Sequence, residues 1–370
     1  MIKIPEWIIN LKPYIPGKPI SELAREKSLK RIVKLASNEN PLGPSPQAMK
    51  AVIENLSEVH RYVDREAPEL VSKIAAKFGK NPDQVICGHG VDALLGYILC
   101  AFTRENDEVL TSNGTFIGIY VNVRKLGRKL SLVPLKNYTY DLEAIGSSIS
   151  PETKIIYLAN PNNPTGTIFT KRQFEEFIAR VPRDILVILD EAYTEFVSRD
   201  PDFPNGLDYE YDNLIVTRTL SKTYGLAGLR VGFAAGPKEI ISELYKVKLP
   251  FEPNHAAQKA AVAALDDDKF LKKTLEINEK SLRQMIAGFN KIGIEYVKTH
   301  ANFLLLLMPS AEFAESFNEE CLNSGLILRH VKPFGIPNGI RINSGTEDET
   351  EYALEVIEKV YQKLLQVKPA

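Results

Sequence analysis

The chain has 370 residues, 44% of them hydrophobic, 25% charged and 9% aromatic, the composition of an ordinary globular protein with room for about two domains. Its 46 Lys+Arg stand against 47 Asp+Glu, so a net charge of −1 gives no global field to draw it to nucleic acid or anionic lipid. Cys87, Cys100 and Cys321 form no C-x-x-C pair and the five histidines fall in no metal-ligand spacing, so neither a disulfide framework nor a metal-dependent reaction is expected.

The opening MIKIPEWIINLKPY carries Pro5 and Glu6 where the apolar stretch of a signal peptide would lie. The longest apolar runs, Ile185–Leu189 and Phe303–Met308, fall far short of a bilayer span. The expected address is the cytoplasm, with neither membrane nor nucleic acid as partner.

Residues 1–46, with KPYIPGKPI and SNENPLGPSP, are dense in Pro and turn formers and read as an arm and a loop that contributes to a small domain. In ELVSKIAAKFG the apolar positions Leu70, Ile74, Ala75 and Phe78 follow helical spacing, with Gly79 as the stop. Short Val/Ile/Leu-rich strands are expected at QVIC (84–87), EVLT (108–111), KIIYLA (154–159), ILVIL (185–189), LIVTR (214–218) and VGFAA (231–235). Continuous apolar runs of this kind mark strands buried on both faces, hence a parallel sheet covered by helices and an α/β doubly wound domain over residues 47–257. After Pro250 come a charge-rich helix (KFLKKTLEINEKSLRQMIAGFNKIG), strand-like ANFLLLLM, LILRHV and GIRINSG, and the closing helix ETEYALEVIEKVYQKLL. These predict a smaller α+β domain over 258–370. There is no internal repeat and no low-complexity segment.

In an open parallel sheet, ligands bind beyond the carboxyl ends of the strands. KIIYLA is followed by Asn160-Pro161-Asn162-Asn163-Pro164-Thr165-Gly166, ILVIL by Asp190-Glu191-Ala192-Tyr193, and LIVTR by Thr219-Leu220-Ser221-Lys222. Each has an ordinary reading alone, as a turn, a helix cap or a loop. Together they deliver an amide, a carboxylate with a phenol, and a hydroxyl with a lysine to one rim. That is the set pyridoxal phosphate needs: a lysine to condense with its aldehyde, an acid for its ring nitrogen, and donors for its ring oxygen.

A phosphate cup is expected as well, where QVIC runs through Gly88-His89-Gly90-Val91-Asp92 into a helical segment whose first backbone N–H groups have no helical partner. Ser221 and Arg230 complete the cup with a hydroxyl and a fixed charge, and Phe116, after EVLT, is a candidate ring to stack on the cofactor. The same glycines also fit a dinucleotide fingerprint, Gly88-x-Gly90-x-x-Ala93. That reading wants an acid at the end of the next strand, where Thr111-Ser112-Asn113 stand, and gives Asn163, Asp190 and Lys222 no task.

With these residues in hand the sequence resembles the fold-type I, class II aminotransferases, and among them the histidinol-phosphate aminotransferases. KPYIPGKP, KLASNENPLGPSP, NPNNPTG, LDEAYTEF, RTLSKTYGLAGLRVGF, ANFLLL and GIRINSGT carry the resemblance over nearly the whole chain. It implies a mostly parallel sheet sandwiched by helices with a smaller α+β domain, a homodimer, and transfer of the amino group of histidinol phosphate to 2-oxoglutarate. It further implies Lys222 as the cofactor lysine, Asp190 as the partner of the ring nitrogen, and Asn163 and Tyr193 as donors to the ring oxygen. Phe116 would stack on the ring, while Gly90, Val91, Asp92, Ser221 and Arg230 would hold the cofactor phosphate, reached also by Tyr62 of the second subunit. Tyr14, Asn40, Arg329 and Arg341 would bind substrate. The family usually has Gly-Asn-Gly-Ser-Asp-Glu at 88–93, Pro after the tyrosine at 62, and Pro at 114; this chain has Gly88-His89-Gly90-Val91-Asp92-Ala93, Val63 and Gly114. An aromatic amino-acid aminotransferase and a threonine-phosphate decarboxylase share the cofactor set and stand as alternatives.

Overall fold

The computed structural model describes residues 2–11, 18–27, 29–197 and 199–366. Its centre is a seven-stranded sheet. In spatial order the strands are Val85–Gly88, Gly232–Ala235, Leu214–Thr219, Leu186–Asp190, Thr153–Ala159, Glu108–Ser112 and Lys129–Val133. Five pair in parallel, and Gly232–Ala235 runs antiparallel to both neighbours. The sheet is mostly parallel as expected, and its one departure is this strand, which the apolar runs did not single out: VGFAA is as buried as the others, and burial does not encode direction. Lys129–Val133 was not expected, because KLSLV sits on the sheet edge and is only partly buried.

Residues Leu186–Asp190 and Leu214–Thr219 are buried throughout, as strands covered on both faces must be. Helices Pro68–Phe78, Val91–Phe102, Ile117–Lys125 and Lys171–Ile178 join the large core, the last opened by a Thr170/Gln173 capping box. A second sheet, antiparallel, has the order Arg329–His330, Gly339–Asn343, Phe303–Leu307, Glu295–Val297, and packs with helices Asp268–Ile292, Ala311–Asn323 and Glu347–Gln366 around its own core.

Residues 20–27 and 29–38 are more structured than an arm and a loop. Ile20–Glu26 is helical, Val33–Lys34 pairs in parallel with Leu326–Ile327, and Leu23, Val33, Leu35 and Ala36 are buried. The dense turn formers flank this stretch, in KPYIPGKPI and in SNENPLGPSP, and their signal obscured the apolar IVKLA between them. Among the described residues no helix is long and apolar enough to cross a membrane, and no group of His, Cys, Asp and Glu is arranged to hold a metal ion.

The carboxyl ends of two central strands are cross-tied by a buried ion pair. Arg218 Nε and Nη2 donate to Glu191 Oε2 at 2.9 and 2.6 Å, and the Gly206 N–H donates to Oε1 at 2.6 Å. Burial raises the Glu191 carboxyl above its usual range, against which Arg218 pulls it back. Glu191→Gln should therefore cost about 3–5 kcal/mol in urea unfolding, because it leaves the Arg218 charge buried and uncompensated.

Candidate active site

The strand ends converge as the sequence predicts. Lys222, Asp190, Asn163, Tyr193, Phe116 and Ser221 line one cavity of about 290 Å³, and Val91, Asp92, Arg230, Arg329 and Arg341 complete its wall. Residues 36–39 close it from the side of the second sheet.

Asp190 ends its strand almost fully buried. Tyr157 Oη donates to its Oδ2 at 2.7 Å and the Ala192 N–H to its Oδ1 at 3.1 Å. Burial lifts the Asp190 carboxyl to about 6, against the pull of those hydrogen bonds. A carboxylate with two neutral donors in a dry wall is poised to pair with a cationic ring nitrogen, which would restore its charge. Tyr157 was missed from sequence because, within KIIYLA, an aromatic side chain reads as core.

Lys222 follows the adjacent strand, and its Nζ donates to the Ser37 carbonyl at 3.2 Å. Burial, then the Arg341 guanidinium, bring the amine down to about 8, within reach of the neutral form that attacks an aldehyde. Its nitrogen stands 5.9 Å from the centroid of the Tyr193 ring. The Tyr193 phenol is buried, with the edge of Phe303 packed against it at 5.2 Å, and its oxygen accepts from Asn38 Nδ2 at 2.7 Å. Asn163 accepts from Arg341 Nη1 through its side-chain oxygen, which leaves its amide N–H groups for a ligand.

The anion cup is built on Gly90, the residue that opens helix Val91–Phe102. Its φ of +77° is in the region that favours glycine, and a Cβ there would lie 2.6 Å from Arg230 Nη2. Only a glycine lets the guanidinium come so close to the helix N-terminus. Arg230 also donates to the Ala227 carbonyl at 3.2 Å and stands 3.8 Å from the Asp92 carboxylate. The free N–H groups, the guanidinium and the Ser221 hydroxyl make a donor set suited to a phosphate.

At the other end, Arg329 and Arg341 are directly opposed residues on neighbouring antiparallel strands, and both are buried. Like charges directly opposite destabilise a sheet, so this placement is the kind that a bound anion offsets. Both guanidiniums lie near the Phe334 ring, at 5.7 and 5.9 Å from its centroid, and Arg341 Nη2 donates to the Ala36 carbonyl at 2.7 Å. The pairing is a matter of register, which sequence reading does not give, and Phe334 had no signal in KPFG beyond a turn.

Two predicted residues of the described set lie elsewhere. Asn40 stands off the cavity wall: its Nδ2 donates to the Thr223 carbonyl at 2.9 Å and to Thr274 Oγ1 at 3.0 Å, and its Oδ1 accepts from the Leu42 N–H, so it ties the loop after Lys222 to the helix Asp268–Ile292. Tyr62 is 84% exposed in the single chain, stacked on Phe251 at 4.3 Å. Tyr14 lies outside the described residues. The sequence SNEN supplies Asn38 and Glu39 to the wall.

The model of the family "Aminotransferase class I and II" matches residues 30–357. The chain is 40% identical over 356 residues, 95% of either chain, to histidinol-phosphate aminotransferase 2 of Hydrogenovibrio crunogenus. It is also 40% identical to the histidinol-phosphate aminotransferase of Caldicellulosiruptor saccharolyticus, over 96% of this chain and 99% of that one. The crystal structure of histidinol-phosphate aminotransferase from Sinorhizobium meliloti in complex with pyridoxal-5'-phosphate superposes with a TM-score of 0.91 at 26% identity, covering 98% of this chain and 99% of that one. Aspartate aminotransferase of Thermus thermophilus, at 21% identity and a TM-score of 0.83, shares the fold. The family model over residues 30–357, with relatives 40% identical over 95% or more of each chain, places the chain among the class I and II aminotransferases, in the histidinol-phosphate aminotransferase family.

Proposed function

We propose that the chain transfers the amino group of histidinol phosphate to 2-oxoglutarate, with pyridoxal 5'-phosphate as cofactor, as a cytoplasmic homodimer. The opposed, buried pair Arg329 and Arg341 carries the substrate reading. Two guanidiniums in one wall suit a phosphate dianion in the first half-reaction and a dicarboxylate in the second.

The residues present fit the cofactor, since the cradle at Gly90 and the buried Asp190 each want a charge that this group carries. When bound, pyridoxal phosphate supplies an aldehyde that condenses with amines and a ring that accepts the electron pair released at the substrate α-carbon. Lys222 Nζ would hold the aldehyde, and its amine would be the base that takes the proton from the substrate α-carbon. Asp190 keeps the ring nitrogen protonated. Asn163 and Tyr193 donate to the ring oxygen, Phe116 covers the ring face, and Gly90, the Val91 and Asp92 amides, Ser221 and Arg230 hold the phosphate. Tyr14 is assigned to the substrate phosphate beside Arg329 and Arg341.

Tyr62 is assigned to the cofactor phosphate of the opposite subunit. The side chains of Ile53, Leu56, Val59, Leu249 and Phe251 are likewise exposed in the single chain, which supports an apolar face covered by a second copy.

The test is a steady-state comparison of histidinol phosphate, phenylalanine, tyrosine and threonine phosphate as amino donors, with carbon dioxide measured alongside glutamate. Histidinol phosphate should give the highest kcat/KM. Arg329→Ala should raise its KM about 10- to 100-fold, the loss of one charge-assisted contact, while leaving phenylalanine within about threefold. A higher kcat/KM for the aromatic donors would make the chain an aromatic aminotransferase, and carbon dioxide release from threonine phosphate would make it a lyase.

A further inference from the structure

We infer that Asn38 is a positioning residue for the reaction: its side-chain amide donates to the Tyr193 oxygen and so aims the phenol's own proton at the cofactor's ring oxygen. The inference rests on the pyridoxal reading above and concerns a residue of the N-terminal segment, outside the strand ends that supply the rest of the site.

Asn38 is 1% exposed and lines the cavity. Its φ of +55° is in the left-handed region, where asparagine is among the few tolerated side chains. Both ends of its backbone are held by the second sheet and its flank: the N–H donates to Asn343 Oδ1 at 3.0 Å, and the carbonyl accepts from Asn302 Nδ2 at 3.3 Å. With the backbone fixed, the side chain crosses to the large domain and Nδ2 reaches Tyr193 Oη at 2.7 Å. The two preceding carbonyls, of Ser37 and Ala36, take Lys222 and Arg341. Three consecutive residues thus register the lysine, the phenol and the anion-binding arginine against one strip of backbone.

The direction of the Asn38 bond gives it its role. A phenol has one proton to donate and lone pairs to accept with. An N–H pointing into the oxygen cannot receive that proton, so the proton is left for another acceptor, and a phenol that accepts one hydrogen bond is a stronger donor in the next. Asn38 Oδ1, meanwhile, is buried and has no hydrogen-bond partner among the described residues. The amide thus spends its donor, rather than its acceptor, on Tyr193.

Two variants test this. Asn38→Asp is nearly isosteric and tolerates the backbone, but its carboxylate would accept the phenol's proton and reverse the bond. Asn38→Gly accommodates the positive φ and deletes the bond. The visible absorption of the cofactor-loaded protein should titrate higher in both: by about one pH unit in Asn38→Asp, where the ring oxygen loses its donor and holds its shared proton more tightly, and by less in Asn38→Gly, where the phenol keeps its proton but is a weaker and unaimed donor. Their kcat should fall roughly tenfold or more, with the KM for the amino donor changed less than about threefold. In a Tyr193→Phe background, Asn38→Gly should add no further shift. Wild-type titration in Asn38→Asp, or an undiminished shift from Asn38→Gly when Tyr193 is already gone, would overturn the assignment. A wild-type protein that takes up no pyridoxal phosphate and shows no visible band would instead overturn the pyridoxal reading, and the role of Asn38 with it.

Discussion

Lys222→Ala is expected to lower amino transfer by about 10⁴-fold or more, the upper range for loss of a positioned base, since the same nitrogen also holds the aldehyde. The fold should survive. Burial and the neighbouring Arg341 charge already disfavour the protonated lysine, and its recorded hydrogen bond goes to the neutral Ser37 carbonyl, so removal breaks no ion pair. Thermal unfolding of the unliganded variant should stay close to wild type while turnover is lost. The sign of the shift also sets the pH dependence of cofactor capture. With the amine at about 8 instead of its usual 10.5, the reactive neutral form accumulates as pH rises and is dominant above 8. The rate of pyridoxal phosphate uptake by the unliganded wild type should therefore climb through about pH 8, where it is half-maximal, and level off above about pH 9, where an unperturbed lysine would still be climbing beyond pH 10.

Asp190→Asn is the second large effect, with the rate of the chemical half-reaction down by about 10²–10³-fold, the scale of losing one buried electrostatic contact to the developing charge. The substitution is nearly isosteric, and the Tyr157 hydroxyl can turn to accept from the amide where it now donates to Oδ2, so packing is preserved. What is lost is the negative charge opposite the ring nitrogen. Single-turnover kinetics with histidinol phosphate should show the deficit in the chemical step with cofactor still bound, and a rate within threefold of wild type would remove Asp190 from the assigned role. In the unliganded wild type, where burial lets Asp190 take up a proton near pH 6, the affinity for pyridoxal phosphate should weaken as pH drops through about 6.

The strand ends were legible because a buried parallel strand announces itself as an apolar run, and the polar residue that ends such a run is conspicuous. Asp190, Asn163 and the Ser221-Lys222 pair were found in this way. Residues that act from inside the runs were not, since Tyr157 in KIIYLA is indistinguishable from a core aromatic until its hydroxyl is seen on Asp190. Contacts fixed by tertiary register were equally hidden. Nothing in LILRHV and GIRINSG says that Arg329 and Arg341 face each other, and nothing in SNEN separates Asn38, which meets Tyr193, from Asn40, which ties a loop. Strand direction belongs to the same class, for Gly232–Ala235 owes its antiparallel course to how the chain returns beside Val85–Gly88.

The central claim is that one lysine of this chain holds pyridoxal phosphate. Incubation with the cofactor, reduction with borohydride and peptide mass spectrometry test it most directly, and there is a built-in decoy: Lys248 is also buried, with its amine pulled below the usual range, but it donates to the Arg65 carbonyl and does not line the cavity. The phosphopyridoxyl mass is expected on Lys222 in near-stoichiometric yield and not on Lys248. The mass on Lys248, or its absence from Lys222, would contradict the claim.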